Sequence, residues 1–262
     1  MKTRINGIET NYELHGREGA PWLVLSHSLA CSVRMWDPQI AALKDRYRIL
    51  AYDTRGHGAS EAPKGAYTLE MLADDLKALL DHVGAKNPHY CGLSMGGMIG
   101  QAFALRHPGR LGKLVIANST SSYGPEGRKM WEARSRMVEE GGVAAIRDMV
   151  ASRYFSDDFR ASEPGTVERV MQRFAQTPQE GYLGCCDAIA ALDYSKDLGR
   201  ITAPTLVIAG GADAGTPPAM SEALARGIPN AKLAVIPGAA HLSAVEKPAE
   251  FNALVREFLA SP

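Results

Sequence analysis

A serine lies between two glycines in Gly92-Leu93-Ser94-Met95-Gly96, and its surroundings decide whether the pattern means chemistry or packing. The strand-like run PHYCGL precedes it and a helix-like stretch starts near Met95. A tight strand-to-helix turn of this kind holds a serine hydroxyl clear of the surface as a nucleophile. Glycine is useful on both sides, because a side chain there would collide with neighbouring backbone. The competing reading is a packing turn, in which small residues let a helix approach a sheet. In the chemical reading Ser94 takes an unfavourable backbone conformation, at a cost of about 1–3 kcal/mol that the fold must enforce. It also opens a helix, where backbone amides favour developing negative charge.

A serine hydroxyl is a poor nucleophile until a base takes its proton, and seven histidines compete for that role. His241, in PGAAHLSAVEKP, follows the last strand-like run and precedes the C-terminal helical pattern. That puts it at the carboxyl edge of a sheet, with Ser94. His27, after an earlier strand, is its rival. His57, in DTRGHGAS, reads as a loop-organising residue, and His82 and His107 as helix-end residues. The carboxylate that orients the base should follow another strand at the same edge. Asp213, in GGADAGTP, meets that condition; Asp53, Asp193 and Asp197 are the alternatives. The chain order Ser, Asp, His is the one expected of this architecture. Asn118 follows the strand-like LVIA, and its lack of charge argues against the acid having moved there. Two oxyanion donors complete the set: the amide of Met95, and one from HSLACS, with Leu29 first and Ser28 second. Pre-aimed amides of this type lower a barrier by roughly 3–4 kcal/mol each. The Leu29 side chain then matters little. Cys31, beside this loop, reads as a small buried filler.

The elements that must position these groups alternate along the chain. WLVLS (22–26), YRILAYD (47–53), PHYCGLS (88–94), LGKLVIANS (111–119), PTLVIAGG (204–211) and AKLAVIPG (231–238) read as buried strands. Helical patterns separate them: YTLEMLADDLKALLDHVG, MGGMIGQAFALRHPG, PAMSEALARGI and KPAEFNALVREFLAS. Alternation with near-continuous apolar strands predicts a parallel sheet covered on both faces. KTRIN and ETNYELHG alternate apolar with polar residues and predict an antiparallel hairpin at the sheet edge. From about Ser121 to Asp197 no buried strand is found, only helical patterns carrying Trp131, Met137, Met149, Phe155 and Met171. The expectation is a core of 1–120 and 198–262 with a helical cap of 121–197, placed where parallel sheets bind ligands. Its aromatics and methionines read as cap core more than as pocket lining.

Composition sets the outer limits. Of 262 residues, 45% are hydrophobic and 22% charged, ordinary values for a globular protein. Twenty-nine basic residues balance 29 acidic ones, so no net field draws in nucleic acid and no basic block marks a membrane surface. The N-terminal MKTRINGIETNYELHG lacks the apolar core of a signal peptide, and no apolar run is long enough to span a bilayer. Four cysteines, Cys185 and Cys186 adjacent, lack disulfide-framework or zinc spacing. The expected setting is the cytoplasm, with no metal and no cofactor. The expected partner is a small ester or lactone, and the composition is compatible with a homo-oligomer.

SHSLACSVRMWDPQIAAL, RILAYDTRGHGASEAPKGAYTLEMLADDL, CGLSMGGMIGQAFALRHP and GAAHLSAVEKP together resemble the α/β-hydrolase superfamily over essentially the whole chain. Within it the chain looks most like the 3-oxoadipate enol-lactonases of aromatic-compound breakdown. That closer likeness is carried by YDTRGHG.S.APKG.Y, the SHSL loop and GY....C.AI, Gly181 to Ile189. The resemblance implies a mostly parallel eight-stranded sheet with a helical lid inserted after the sixth strand. It also implies a cofactor-free serine hydrolase that opens a small anionic lactone. Ser94, Asp213 and His241 match the triad positions. His27 stands where close lactonase relatives often carry Asn, and GGADAGTP is a looser version of the usual acid loop. Trp131 and Arg134 match positions where relatives contact substrate. They are three apart on one helical face, and Arg153 beside Tyr154 and Phe155 is a second candidate cation. The alternative is that Arg134 and Arg136 form a solvated helix face. A general carboxylesterase or perhydrolase, a carbon–carbon bond hydrolase and a non-catalytic receptor on the same fold are the competing functions.

Overall fold

A computed structural model describes residues 1–261. Eight strands form one sheet: β1 (Lys2–Ile5), β2 (Ile8–His15), β3 (Trp22–Ser26), β4 (Arg48–Tyr52), β5 (His89–Leu93), β6 (Leu114–Ala117), β7 (Thr205–Gly210) and β8 (Lys232–Ile236). Their spatial order is β1-β2-β4-β3-β5-β6-β7-β8. The β1–β2 hairpin turns through Asn6 (φ 44°) and Gly7 (φ 81°), the doubly left-handed turn that Asn-Gly favours. β2 runs antiparallel to β4, pairing Tyr12 with Tyr52, and every pair from β4 to β8 is parallel.

Strands β5, β6 and β7 are buried along almost their whole length, which is why they read as unbroken apolar runs. β8 departs from the sequence expectation. It pairs only with β7 and forms an edge of the sheet, leaving Leu233 40% and Val235 47% exposed. Only Ile236 of that strand is buried.

The helices cover both faces. α2 (Leu69–Val83) packs on α3 (Met95–Arg106), while α1 (Asp37–Leu43) packs on α11 (Pro248–Ala260). Thr68 caps α2, accepting the Met71 amide, and Gly84 ends it in the left-handed conformation at φ 72°. Five helices separate β6 from β7: α4 (Gly124–Gly141), α5 (Arg147–Tyr154), α6 (Asp157–Ser162), α7 (Pro164–Ala175) and α8 (Gln179–Ala190). α9 (Pro218–Gly227) follows β7, and α10 (Ser243–Glu246) precedes α11. His27, Asp53, Ser94, Asn118, Asp213 and His241 all lie just beyond the carboxyl ends of parallel strands, along one edge of the sheet.

Candidate active site

Ser94 sits between β5 and α3 at φ 57° and ψ −117°, a left-handed conformation that a non-glycine residue adopts only under constraint. The constraints are visible. Its amide donates to Ala117 O at 2.8 Å, and its carbonyl accepts from Ser119 Oγ at 2.9 Å. Both flanking glycines are sterically required. A Cβ on Gly92 would stand 2.2 Å from Gly96 O, and one on Gly96 only 2.0 Å from Ser26 O. Serine at a helix N-cap ordinarily turns its hydroxyl onto the helix amides. Ser94 makes no such cap, and its Oγ lies 2.8 Å from His241 Nε2 instead. The packing-turn reading leaves that redirected hydroxyl unexplained.

His241 Nδ1 faces Asp213 Oδ2 at 2.9 Å. A carboxylate only accepts, so Nδ1 carries the ring proton and Nε2 is left to accept from the serine. The carboxylate is itself held firmly. Oδ1 accepts the amides of Gly215 (2.8 Å) and Thr216 (2.9 Å), while Oδ2 accepts Thr216 Oγ1 (2.7 Å) and Asn118 Nδ2 (2.9 Å). Burial alone would raise the Asp213 carboxyl, but the His241 ring and these donors outweigh it and hold it down at about 2. Asn118 also donates to Ala240 O at 3.2 Å, so one side chain ties the acid to the loop that carries the base.

The rival groups are otherwise engaged. His27 is fully buried; its Nδ1 donates to Ser28 O at 2.7 Å and its Nε2 accepts the Thr54 amide at 3.0 Å. Asp53 accepts from Val33 N, Asn11 Nδ2 and Ala59 N, organising the loops beyond β3 and β4. Asp193 accepts from Ser195, Asp197 pairs with Arg200, and both lie outside the cavity at Ser94. His57 is buried with Nδ1 on Arg55 O, as expected of a loop organiser. His82 lies in the last turn of α2, and His107 follows α3 with its ring on Asp74. Burial pushes the Cys31 thiol up to about 12, consistent with an inert filler.

The amides of Leu29 and Met95 have no acceptor among the described residues. Met95 opens α3 directly after the serine. Ser28 O receives both His27 Nδ1 and the Cys31 amide, the latter at 3.1 Å. In a trans peptide the carbonyl and the following N–H point opposite ways. Two donors on Ser28 O therefore fix the direction of the Leu29 N–H.

A cavity beside Ser94 and His241 is lined by Leu29 and by residues of α4 and α5, among them Trp131, Arg134 and Arg153. Arg134 is 8% exposed while Arg136 is exposed, so the two do not form a solvated face. The Arg134 guanidinium donates through Nε to Tyr182 Oη at 2.5 Å and lies 4.9 Å from the Trp131 ring centre. No carboxylate pairs with it among the described residues. Trp131 Nε1 is buried without a partner. Arg153 is half-buried, with Nη1 3.7 Å from Met130 Sδ. Trp131 thus serves the cavity, whereas Phe155 and Met171 are core and Met137 is exposed. Sequence reasoning did not single out Tyr123, Met130, Val150 or Gly215 as lining. Three of them lie on α4 or α5 or at the start of α4 and carried no chemical signal. Among the described residues no group of three His, Cys, Asp or Glu side chains is close enough to hold a metal, and no helix is long and apolar enough to cross a membrane.

The model of the alpha/beta hydrolase fold family matches residues 21–248. A 3-oxoadipate enol-lactonase of Acinetobacter baylyi is 39% identical, over 94% of this chain and 91% of its own. A protein provisionally assigned as a carbamate hydrolase, from Stutzerimonas stutzeri, is 34% identical over 95% and 96% of the two chains. The crystal structure of the enol-lactonase from Burkholderia xenovorans LB400 superposes with a TM-score of 0.96, at 38% identity and full coverage of both chains.

Proposed function

The chain belongs to the alpha/beta hydrolase fold family, and from that premise we propose a cofactor-free serine hydrolase that opens a small carboxylate-bearing lactone of the 3-oxoadipate enol-lactone type. One observation carries the reading. The hydrogen-bonded line from Ser94 through His241 to Asp213 opens into the same cavity as a buried guanidinium with no carboxylate of its own. A buried charge without a counter-ion costs several kcal/mol, and an anionic substrate supplies the missing partner. Arg134, with the free Nε1 of Trp131, is the seat for that carboxylate, and Arg153 adds positive potential. The enol-lactonase relatives support the same substrate class.

In the mechanism, His241 Nε2 takes the Ser94 proton as Oγ attacks the lactone carbonyl. The amides of Met95 and Leu29 hold the oxyanion of the tetrahedral intermediate. Its collapse breaks the ring C–O bond, and the imidazolium returns the proton to the departing enol oxygen. An acyl-enzyme remains, with the leaving oxygen still tethered to the acyl chain. Water, deprotonated by His241, attacks that ester and releases a second carboxylate and the free serine. The segment 121–197 acts as a cap over this cavity, contributing its cations.

Two measurements test the proposal. Ser94→Ala is expected to lose essentially all turnover, and a variant that keeps most of it rules out the serine route. A panel of the enol-lactone, saturated lactones, neutral short-chain esters and a carbamate is expected to rank the anionic lactone first. A neutral ester in first place overturns the substrate assignment and leaves a general esterase.

A further inference from the structure

Tyr154, the last residue of α5, makes three contacts to the proposed machinery. Its hydroxyl donates to Leu29 O at 2.6 Å. Its ring stacks on His241, with centroids 5.7 Å apart and planes at 23°. Its own carbonyl accepts the amide of Leu242, the residue after the base, at 2.9 Å. The side chain is buried, with Phe174 edge-on to its ring at 6.1 Å.

The Leu29 carbonyl belongs to the peptide that enters Ala30, and Ala30 sits at φ 53°, a left-handed conformation in a residue other than glycine. Such a turn relaxes unless its surroundings hold it. His27 holds the carbonyl on one side of the Leu29 α-carbon and Tyr154 the carbonyl on the other. Fixing both peptides fixes the direction of the Leu29 amide. We propose that Tyr154 is a positioning residue, through which the cap helix α5 aims the Leu29 N–H at the oxyanion and seats the His241 ring. This rests on the acyl-transfer reading above. Burial raises the phenol well above its ordinary range, so it remains a protonated donor throughout any working pH. Its one hydroxyl hydrogen is committed to Leu29 O. Its contribution is therefore expected to appear when the oxyanion forms, not when substrate binds.

Tyr154→Phe keeps the ring and removes only the donor. The expected result is a fall in kcat of roughly tenfold, the size of one lost hydrogen bond expressed in the transition state. KM should stay within about twofold, and affinity for a phenylboronic acid, which places a tetrahedral oxyanion on the serine, should fall by the same factor as kcat. Tyr154→Leu, which also removes the stack on His241, should lower kcat further. Rates are referred to active sites counted by fluorophosphonate labelling of Ser94, so a partly unfolded sample is read per competent site. Unchanged kcat and boronate affinity in Tyr154→Phe overturn the proposal. So does a raised KM with kcat kept, which makes the phenol a substrate contact. A wild-type protein that the fluorophosphonate does not label sinks the serine reading itself, whereas labelled wild type with an indifferent Tyr154→Phe sinks only the role of Tyr154.

Discussion

Arg134 is 8% exposed and has no carboxylate partner among the described residues, so in the proposed reading it favours binding at the expense of stability. Its partners are a phenol and two aromatic faces, which compensate part of the desolvation and none of the charge. Arg134→Met therefore has opposite effects on two observables. kcat/KM for an anionic lactone is expected to fall by roughly a hundredfold, the cost of removing one partner of a desolvated ion pair. The thermal midpoint should stay equal or rise, because a charge buried without a counter-ion is replaced by an apolar chain of similar length. Turnover of a neutral ester by the same variant should change by only a few-fold. Denaturation curves and the two rate ratios check this together, and equal losses for both substrates would remove Arg134 from the carboxylate seat. Asp213, the acid of the proposed triad, carries a separate prediction. Asp213 is held at about 2 against the opposing effect of burial, so it stays ionised down to strongly acidic pH. Asp213→Asn, which loses the tautomer that the carboxylate selects, should lower kcat by about 10⁴.

Between elements, the segment proposed as a cap meets the rest of the chain through backbone contact. Gly181 in α8 and Gly56 in the loop after β4 approach so closely that a Cβ on Gly181 would stand 2.1 Å from Gly56 O and 2.4 Å from its Cα. Three residues on, Gly184 meets Tyr67, and its carbonyl takes the Tyr67 amide at 3.1 Å. Neither partner of the Gly56–Gly181 contact is a movable side-chain end. Gly181→Ala is accordingly expected to cost about 1–3 kcal/mol or more, a fall in thermal midpoint of roughly 3–10 °C. Gly165→Ala is the control. It lies in α7 with only Arg169 Nη1 near, at 3.6 Å, and should be neutral or slightly stabilising. Equal midpoints for the two variants would show that the seam yields. This contact also explains why the Gly181–Ile189 stretch stands out in the sequence while its purpose does not. A close approach pairs distant residues and has no local period. β5, β6 and β7 were legible because burial on both faces leaves an unbroken apolar run, and Ser94 and Asp213 were legible because each follows such a run. His241 was legible because β8, though an edge strand, is still apolar in sequence. β8 was misjudged because Leu233 and Val235 are apolar yet lie on an edge strand. α10 has four residues, too few to show a helical period, and the part played by Tyr154 depends on where α5 ends over two loops.

At the scale of the whole molecule, buried histidines couple stability to pH. His27 and His57 are both fully buried, with ring centres 5.3 Å apart. Burial, and then the neighbouring His27 ring, lowers His57 to about 3, and burial lowers His27 despite the opposing pull of Asp53. His89 is lowered in the same direction by burial and by Lys113. In the unfolded chain a histidine titrates near 6.5. Between about pH 6.5 and the depressed folded values the unfolded state therefore binds more protons than the native one, so stability falls as pH falls. The carboxylates lowered in the folded state act elsewhere. Asp213, lowered in the folded state, contributes stability that is lost only between about 4 and 2. The decline from pH 6.5 to 4.5 should thus belong to the histidines, at on the order of 1 kcal/mol per pH unit for each that stays neutral. Urea midpoints measured across that interval should shift steadily downward for the wild type. In His57→Gln the slope should be shallower by about one proton, whatever the variant's stability at pH 7. Equal slopes would mean that His57 is protonated in the native protein, and with it that the loop beyond β4 opens to solvent well before the sheet unfolds.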